Sequence, residues 1–578
     1  MFETCAQHIV AFLEKHDFSI VFGLPGSHNM EFFDALRSSR LKTYLATSEL
    51  TAAFMAEAFG KATGKPAVLT VVPGPGLTYA MTGIAGARLE SIPMLVIVSG
   101  IRNDLGEKKY QIHEMAQGEV SVHIAKAFHR ITQVDETESV LSRALHDIFA
   151  GEPGPVIVEV PVNILRKRSI SKSQLQEDSP QTALQLPTEI KEQLDLASQW
   201  LSQAEYPCIY AGLGCASYSE LLKQLSEKLA APVATTISGR GVLPEDDHLS
   251  VGYGFGPTGE SVAREIFSAC DVLITIGCKF SEASSGGWDL KIPEKHIRID
   301  ISADVLQSNF PGSLNICMDA GEAIKDFLPL IEPPQGKVLS ARLKRNEKIQ
   351  TGIKKEKNAN GYRDKISPEA FFAALRPTLP RDTIMCCDCG AHQFHALSHF
   401  TIFEPRTFLA SVDFQAMGFC IPAMIASQIA FPERKVVGVV GDGGFLMTGL
   451  EMVNIVRERI CPVLFVFRDD SLGLIEGMQK RVYQRTHAVK LTNPDYAMIA
   501  AAQGLEYCLL EDETLLESQL KEVLRKDAPY LVEVAIQYDK LPHYSQAKMN
   551  ASARKLPLSE KIMAGGRILS RKLLSFTE

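Results

Sequence analysis

The feature that most constrains this chain is the segment 441–473, where two apolar runs each end in acidic residues. The first run, 436–440, stops at the sequence GDGG (441–444), a pattern typical of a buried strand that enters a tight turn. From Phe445 the pattern becomes helical, so the backbone N–H groups of the turn are expected at a helix N-terminus, where anions bind. The segment therefore predicts a phosphate site.

An acidic residue inside such a turn calls for a cation. Asp442 would repel a phosphate, whereas Mg²⁺ binds carboxylate and diphosphate oxygens together. The second run, 463–467, leads into Asp469 and Asp470. If the two runs are neighbouring parallel strands, both turns open at the same edge of the sheet, where open α/β sheets bind ligands. On spacing alone, an ordinary turn followed by a solvated acidic cap explains the pattern equally well.

This arrangement resembles the signature of thiamine diphosphate-dependent enzymes, in particular the acetolactate synthase and pyruvate oxidase branch. The resemblance implies that Mg²⁺ is held by Asp442, Asp469 and the main-chain carbonyl of Ser471. Arg468 stands where the family generally has Asn, a change that removes no ligand. The cofactor-binding residues implied for this region are Asp442, Gly443, Gly444, Asp469, Ser471 and Gly473.

A second family segment surrounds Glu49, in TSELTAAFMAEAFGKATGKPAV. From the residues alone, Glu49 is a first-turn helix carboxylate that follows Thr47 or Ser48. The segment resembles the one in which the family's glutamate begins an Ala-rich helix. The resemblance implies that the Glu49 carboxyl group hydrogen-bonds N1′ of the cofactor pyrimidine and so promotes loss of the thiazolium C2 proton.

Four shorter segments also match the family. The turns GLPG (23–26) and PGPG (73–76) are similar to those around the pyrimidine ring and imply that Pro25 and Gly26 bind the cofactor. DCGAHQ (388–393) and FQAMGF (414–419) resemble segments near the diphosphate and beneath the bent cofactor. The cofactor-binding residues that they imply are Gly390, His392 and Met417.

Substrate chemistry depends on His113, in HEMAQ (113–117), which takes the position of a usual Gln. An imidazole there is a candidate general acid or base, because its unperturbed pKa lies near neutrality. A partly exposed loop histidine is the alternative interpretation. His28, beside the first Gly-Pro turn, is a weaker candidate.

Alternation of strand-like and helical runs predicts an α/β fold with three doubly wound parallel-sheet domains. The 578 residues suffice for three such domains. We expect a pyrimidine-binding domain at 1–166, a central domain at 187–332 and a diphosphate-binding domain at 366–540. A polar linker at 167–182, a charged connector at 333–362 and a C-terminal tail at 541–578 complete the chain.

Composition excludes several partners. The net charge of −8 argues against nucleic acid and anionic membranes, and no apolar run reaches the roughly 20 residues of a bilayer-spanning helix. The N-terminal segment 1–18 predicts an amphipathic helix, not a signal peptide, so we expect a cytoplasmic protein. The tail carries apolar and basic residues, and folding over its own active site is favoured over membrane attachment.

The resemblance implies decarboxylation of a pyruvate-like 2-keto acid and passage of the resulting enamine to a second carbonyl compound. It also implies an active site shared by two subunits, hence a homo-oligomer, a dimer at least and a tetramer by preference. A simple decarboxylase and an FAD-dependent oxidase are alternatives, and a catalytically silent regulatory subunit is a third. FAD is the less favoured possibility, because Cys278-Lys279-Phe280 lacks the expected arginine although Gly212-Leu213-Gly214 resembles an FAD turn.

Overall fold

Three parallel six-stranded sheets organise the chain in this computed structural model. The structure describes residues 4–106, 108–168, 187–356, 365–538, 540–555, 557 and 559. The predicted fold class, three doubly wound α/β sheets, is confirmed. The predicted linker lies, beyond residue 168, outside the described residues.

The first sheet has the strand order β2-β1-β3-β4-β6-β5. Its strands are β1 Ile20–Gly23, β2 Lys42–Leu45, β3 Ala67–Val71, β4 Met94–Gly100, β5 Ala127–Arg130 and β6 Pro155–Pro161. Its helices are α1 Cys5–Lys15, α2 Met30–Leu36, α3 Glu49–Thr63, α4 Pro75–Leu89, α5 Gln117–Ile124, α6 Thr137–Phe149 and α7 Val162–Leu165.

The second sheet has the order β12-β11-β10-β7-β8-β9. Its strands are β7 Pro207–Ala211, β8 Val233–Thr235, β9 Ser250–Tyr253, β10 Val272–Ile276, β11 Lys295–Asp300 and β12 Leu314–Cys317. The helices here are α8 Thr188–Gln203, α9 Ser219–Leu229, α10 Ser261–Phe267, α11 Ala303–Gln307, α12 Ala320–Leu330 and α13 Gly336–Glu356.

The third sheet has the order β14-β13-β15-β16-β18-β17, which repeats the order of the first. Its strands are β13 Ile384–Cys387, β14 Phe408–Ala410, β15 Val436–Gly441, β16 Val463–Arg468, β17 Glu506–Leu510 and β18 Tyr530–Ala535. The helices are α14 Pro368–Leu375, α15 Ala391–His399, α16 Cys420–Ala430, α17 Asp442–Thr448, α18 Val453–Glu458, α19 Gly473–Tyr483, α20 Tyr496–Gln503, α21 Leu516–Arg525 and α22 His543–Lys555.

The strands form where the sequence has short, continuous apolar runs. β3, β4, β6 and β10 are buried at every position, as expected for parallel strands that are covered on both faces. Because such strands lack an exposed face, they appear in the sequence as continuous apolar runs and not as alternating apolar and polar residues. This is why the predicted runs 436–440 and 463–467 agree to within one residue with β15 and β16.

The segment that was expected to be a charged connector contains the helix α13. Its first part is anchored by Arg342, a buried side chain whose guanidinium donates hydrogen bonds to the main-chain carbonyls of Ala204 and Leu229. Arg345 donates in the same way to Ile266. Charged side chains therefore fasten this helix to the middle of the chain, which apolar content alone does not predict.

Contact density divides the chain into two compact units. The first comprises Met1–Leu184, Asp413–Glu433 and Thr448–Ile460, so it holds the first sheet together with α16 and α18. The second comprises Gln185–Val412, Arg434–Met447 and Cys461–Glu578 and holds the other two sheets. In the second unit Tyr544 of α22 stacks on Phe394, with ring centroids 4.5 Å apart. The rest of the predicted amphipathic tail lies almost entirely outside the described residues.

Helix α3 of the first unit contains a buried charge cluster. The Lys61 ammonium group lies 2.8 Å from a carboxylate oxygen of Glu57 and 2.9 Å from one of Glu90. It also lies 4.6 Å from the centroid of the Phe419 ring, and Glu90 accepts the backbone N–H of Asp413 at 3.4 Å. The cluster thereby ties the segment 413–419 to α3. Among the described residues, no helix is both long and apolar enough to cross a bilayer.

Replacing Lys61 by Met is expected to lower the free energy of unfolding by about 3–5 kcal/mol. Two buried carboxylates would then face each other without their cation, and burial already raises the pKa of Glu57 to about 7 although Lys61 opposes the rise. Urea unfolding followed by circular dichroism measures the loss.

The matched control is Lys526→Met, which breaks an exposed 3.1 Å pair with Glu522. Because solvent screens that pair, its loss should cost less than about 1 kcal/mol. Equal losses in the two variants would contradict a special role for the buried cluster.

Candidate functional site

The third sheet reverses its winding between β13 and β15. The chain continues from β13 to β14 on one side, and from β15 to β16 on the other. Such a switch point, at the carboxyl ends of the strands, is where open α/β sheets bind ligands. Three carboxylates lie at this edge of the sheet. They belong to Asp388, Asp442 and Asp469, the residues that directly follow β13, β15 and β16.

Asp442 is almost completely buried and fully hydrogen-bonded. Its Oδ2 accepts the backbone N–H groups of Asp469 at 3.0 Å and Asp470 at 2.7 Å. Its Oδ1 accepts the hydroxyl of Tyr496 at 2.9 Å. Asp442 therefore fixes the turn after β16, which brings together the two turns that the sequence pattern placed at one edge.

Asp469 lies close to Asp442, and its surroundings disfavour its ionised form. Burial, and then the charge of Asp442, raise the pKa of Asp469 to about 7, and burial also raises the pKa of Asp442. Ser471 is buried beside them and donates its hydroxyl to Asp469 at 3.2 Å. A divalent cation would favour the ionised form of both carboxylates, so this set of oxygen donors fits Mg²⁺.

Nearby cationic side chains pair with other carboxylates. The Arg468 guanidinium lies 2.9 Å from Glu533, and the Lys480 ammonium lies 3.0 Å from Glu476. Neither ion pair involves Asp442 or Asp469. These two cations are therefore paired elsewhere and do not offset the negative charge of the acidic pair.

Three of the predicted glycines leave no room for a side chain. A Cβ atom at Gly473 would lie 2.2 Å from Oδ2 of Asp469, and one at Gly444 would lie 2.8 Å from Oδ1 of Asp388. At Gly390 it would lie 2.5 Å from the His392 ring. The close approach explains the glycine-rich sequence.

The helix after β15 begins earlier than expected. Its first residue is Asp442, not Phe445, so Gly443 and Gly444 belong to the first turn of α17. The first N–H groups of a helix have no intrahelical partner, so the backbone N–H groups of these two glycines are not used within the helix. Ser471 and Gly473 follow at the start of α19.

His392 presents an unused polar atom at this edge. Its side chain is buried, and burial lowers the pKa of the imidazole to about 3. Among the residues that the structure describes, Nε2 of this ring has no hydrogen-bond partner. A Cβ at Gly441 would lie 3.1 Å from the ring, so His392 borders the start of α17. An orphaned buried nitrogen beside a glycine turn fits a phosphate-bearing ligand.

A cavity of about 710 Å³ opens beside Asp469. Its walls also include Gly473, Ala391 and Tyr538. The volume is in the usual range for small-molecule sites. The second unit therefore places Asp469, a glycine of α19 and a cavity of small-molecule size at one sheet edge.

The remaining predicted residues lie in the first unit. Glu49 is the first residue of α3, and Ser48 caps that helix by accepting the N–H of Thr51 at 3.2 Å. Glu49 is half-buried, and a Cβ at Gly76 would lie 3.4 Å from its Oε1. The carboxylate thus stands beside the second Pro-Gly turn, at the end of a helix whose other residues are almost all buried.

The first Pro-Gly turn, with Pro25, adjoins the second. The Gly26 N–H donates to Oδ1 of Asn29 at 2.7 Å, and the Asn29 amide donates to the carbonyl of Leu24 at 3.0 Å. A Cβ at Gly26 would lie 2.6 Å from a methyl group of Val72. Asn29 holds the turn closed, so the backbone of Pro25 and Gly26 is fixed.

His113 lies beside His28, with ring centroids 4.9 Å apart. Nδ1 of His113 is buried and has no partner among the described residues. Burial and the neighbouring His113 lower the pKa of His28. A Cβ at Gly74 would lie 2.8 Å from the carbonyl oxygen of His113, so the pair borders the second Pro-Gly turn. His28, the weaker candidate from the sequence, is thus the direct neighbour of His113 although 85 positions separate them.

Met417 is half-buried in a strained loop. Gln415 and Gly418 on either side have φ values of 54° and 86°, in the left-handed region. Gly418 accepts the Thr448 hydroxyl at 3.0 Å, which holds the loop in place. The left-handed conformation favours glycine, yet Gln415 adopts it here.

Tyr496 is the site residue that sequence reasoning missed. Its hydroxyl contacts Asp442 from 54 positions away, and burial raises its pKa well above the usual value. No motif surrounds it, and the only local signal is the helix cap at Asp495. A buried tyrosine that orients a carboxylate is visible only once the fold brings the two together.

The middle sheet carries the turn that resembles an FAD site. A Cβ at Gly212 would lie 1.9 Å from the carbonyl oxygen of Gly277, and one at Gly214 would lie 2.7 Å from its Cα. The two glycines therefore allow the backbone of this turn to contact the backbone of Gly277 directly. The nearby Arg298 donates to a set of main-chain carbonyls, namely those of Cys278, Leu306, Ser308, Asn309 and Phe310.

Three family models match consecutive parts of the chain. They are the N-terminal TPP binding domain over residues 3–122, the central domain over 194–327 and the C-terminal TPP binding domain over 388–534 of thiamine pyrophosphate enzymes. Each match falls on a different one of the three sheets.

Curated relatives align over nearly the whole length. A "Probable acetolactate synthase large subunit" of Methanocaldococcus jannaschii is 31% identical over 551 residues, covering 92% of this chain and 91% of that protein. The acetolactate synthase isozyme 1 large subunit of Escherichia coli K12 is 29% identical, with 92% and 94% covered. Acetolactate synthase 1, chloroplastic, of Nicotiana tabacum is 28% identical, with 91% and 81% covered. The chain belongs to the thiamine pyrophosphate enzyme family.

Proposed function

We propose that this chain is a thiamine diphosphate- and Mg²⁺-dependent carboligase of the acetolactate synthase type. It decarboxylates a pyruvate-like 2-keto acid and joins the remaining unit to a second carbonyl compound. The observation that carries the proposal is the pairing of the buried Asp442 with the half-buried Asp469 at the switch point, in a chain that also places Glu49 at the start of a buried helix. Full-length similarity to proteins named acetolactate synthase supports the type of reaction.

In this proposal Mg²⁺ is bound by Asp442, Asp469 and the main-chain carbonyl of Ser471. The diphosphate of the cofactor lies against a set of residues at the same sheet edge, namely Gly390, His392, Gly443, Gly444 and Gly473. Thiamine diphosphate, when bound, supplies a nucleophilic carbon that adds to the keto group and accepts the electron pair left by carbon dioxide. The chain contributes charged ligands in fixed positions. Asp442, for example, is oriented by the hydroxyl of Tyr496.

The first unit supplies the proton chemistry. Glu49 holds a proton against the pyrimidine nitrogen, and Pro25, Gly26 and Met417 position the ring. His113 moves a proton to or from the reacting oxygen, and His28 keeps that imidazole in place. An unpaired Nδ1 on His113 and the nearby ring of His28 support this assignment.

The alternatives differ in the fate of the decarboxylated unit. A simple decarboxylase protonates it, an FAD-dependent oxidase removes electrons from it, and a silent regulatory subunit does not form it. The contact of Gly212 and Gly214 with Gly277 supports a chain that works without FAD, since these glycines already have a structural role.

The deciding experiment incubates the purified protein with Mg²⁺, thiamine diphosphate and a panel of 2-keto acids, pyruvate first. Carbon dioxide release with an acetolactate-like product by mass supports the proposal. An aldehyde product indicates a decarboxylase, and flavin absorbance in denatured protein indicates an oxidase. Tight cofactor binding without turnover of any donor indicates a silent subunit.

We also propose a homo-oligomer, a dimer at least, in which the three expected domains 1–166, 187–332 and 366–540 supply shared active sites. In the first unit, the α18 region exposes three apolar side chains, Leu450 at 72%, Val453 at 47% and Val456 at 45%. Apolar side chains exposed this close together are typical of an interface. All twelve cysteines are free thiols, which supports a reducing compartment such as the cytoplasm.

Asp469→Asn is expected to weaken Mg²⁺ binding by more than about tenfold, because the ion loses a charged ligand. Magnesium titration at saturating thiamine diphosphate, followed by calorimetry, measures the effect. The control is Asp470→Asn, which alters the neighbouring exposed carboxylate at a left-handed position that Asn tolerates. Similar Mg²⁺ affinities in the two variants would show that Asp469 is not a ligand of the ion.

Glu49→Gln is expected to reduce kcat by about 10²–10⁴-fold while the cofactor still binds, since Gln does not donate the same proton. Hydrogen exchange at C2 of bound thiamine diphosphate should slow in parallel. Glu119→Gln, on α5 of the same unit, is the control and should exchange normally. Normal exchange in the Glu49 variant would refute the proposed role.

The double variant Leu450→Asp with Val453→Asp is expected to raise the dimer dissociation constant by at least about a hundredfold, because association would bury two charges. Sedimentation velocity measures the change. Leu515→Asp, at a site that is 51% exposed in the second unit, is the control. An unchanged assembly in the double variant would place the interface elsewhere.

A further inference from the structure

Two adjacent helices of the second unit bring together a cluster that the proposed reaction does not use. Helix α14 contributes Glu369, and α15 contributes His395 and His399. The two histidines are four positions apart, so they lie on the same face of α15. This combination, two imidazoles and one carboxylate, is a common ligand set for zinc.

The spacing within this cluster is too wide for hydrogen bonds and suits a shared ion. Nδ1 of His395 lies 3.5 Å from Oε1 of Glu369, and Nε2 of His399 lies 3.9 Å from the same oxygen. All three ligand atoms lie within 4.8 Å of one another. Donor atoms around a tetrahedral zinc ion are about 3.3 Å apart, given bond lengths near 2.0–2.2 Å. Small side-chain rotations would close the remaining gap.

The His395 side chain is buried and packed against its surroundings. It is 6% exposed, and its ring stacks on the Tyr538 ring with centroids 5.6 Å apart. Among the described residues, Nε2 of His395 has no hydrogen-bond partner, so the protein directs only Nδ1 toward a polar group. Burial lowers the pKa of this imidazole to about 4, and the neutral ring is the form that binds metals.

The cluster is accessible to an ion. Glu369, His395 and His399 line a cavity of about 450 Å³. The cavity walls also hold two further carboxylates, those of Glu245 and Glu260, and two cations, those of Arg240 and Lys540. Arg240 is neutralised by Glu245, at 2.6 and 2.9 Å. The fixed charges therefore leave the cavity slightly negative, which favours a cation.

We propose that Glu369, His395 and His399 form a second metal site that binds one Zn²⁺ ion per chain. Three protein ligands leave a fourth position for water, which the cavity supplies. The donor set distinguishes this site from the pair Asp442 and Asp469, because Mg²⁺ prefers oxygen ligands and Zn²⁺ accepts imidazole nitrogen. A bound ion connects α14 to the C-terminal turn of α15, the helix that begins beside His392.

The test measures zinc in protein purified without a histidine tag, in buffer with excess Mg²⁺. After exposure to Zn²⁺ and desalting, elemental analysis should find one zinc per chain. Titration with Co²⁺ in place of Zn²⁺ should produce the visible absorption of a tetrahedral site, with the same stoichiometry. These readouts need neither thiamine diphosphate nor turnover, so they are independent of the proposed function.

The variants Glu369→Gln and His399→Gln alter partly exposed ligands and should each weaken Zn²⁺ binding by about a hundredfold. His146→Gln, which removes an exposed surface histidine, is the control and should bind normally. Circular dichroism confirms that the variants fold. Zinc content below a tenth of an ion per chain in the parent protein, roughly the level of adventitious binding, would overturn the proposal. Unchanged affinity in both ligand variants would overturn it as well.

Discussion

The carboxyl edge of the third sheet depends on two carboxylates, one of which opposes the ionisation of the other. Asp442 and Asp469 meet at the carboxyl edge of a parallel sheet, and burial together with mutual repulsion raises the pKa of Asp469 to about 7. The chain keeps this arrangement in place with two backbone N–H groups and the hydroxyl of Tyr496. In the proposed function a cation would stabilise the charged form and attract a diphosphate. The glycines at this edge follow from close contacts within the chain, since a Cβ at Gly473 would lie 2.2 Å from Oδ2 of Asp469.

The same sheet topology occurs twice, with different residues at its edge. The first and third sheets share one strand order, and each presents glycine-containing turns where strands end. In the proposed function, one edge carries Glu49, His28 and His113 for proton transfer, and the other carries Asp442 and Asp469 for binding a cation. Duplicate scaffolds with divergent turns allow such different roles, because loops change more easily than the sheets that support them.

Sequence reasoning succeeded where the signal is local. Continuous apolar runs predicted part of the strands in each sheet, such as β15 and β16, and the GDGG motif predicted the edge at which Asp442 lies. It failed where the partner is distant: the contact of Tyr496 with Asp442 and the buried cluster around Lys61 join positions that no periodicity connects. Helix α13 was missed because its anchors are arginines that bond to buried carbonyls.

The central claim is that the Glu49 half and the Asp469 half of the chain serve one cofactor in an assembly of identical subunits. Co-expression of a Glu49→Gln chain and an Asp469→Ala chain with different tags yields mixed dimers for purification. If two subunits share each active site, one of the two sites in a mixed dimer is intact, and activity returns to about half of the parent value. Mixed dimers as inactive as the single variants would contradict the claim.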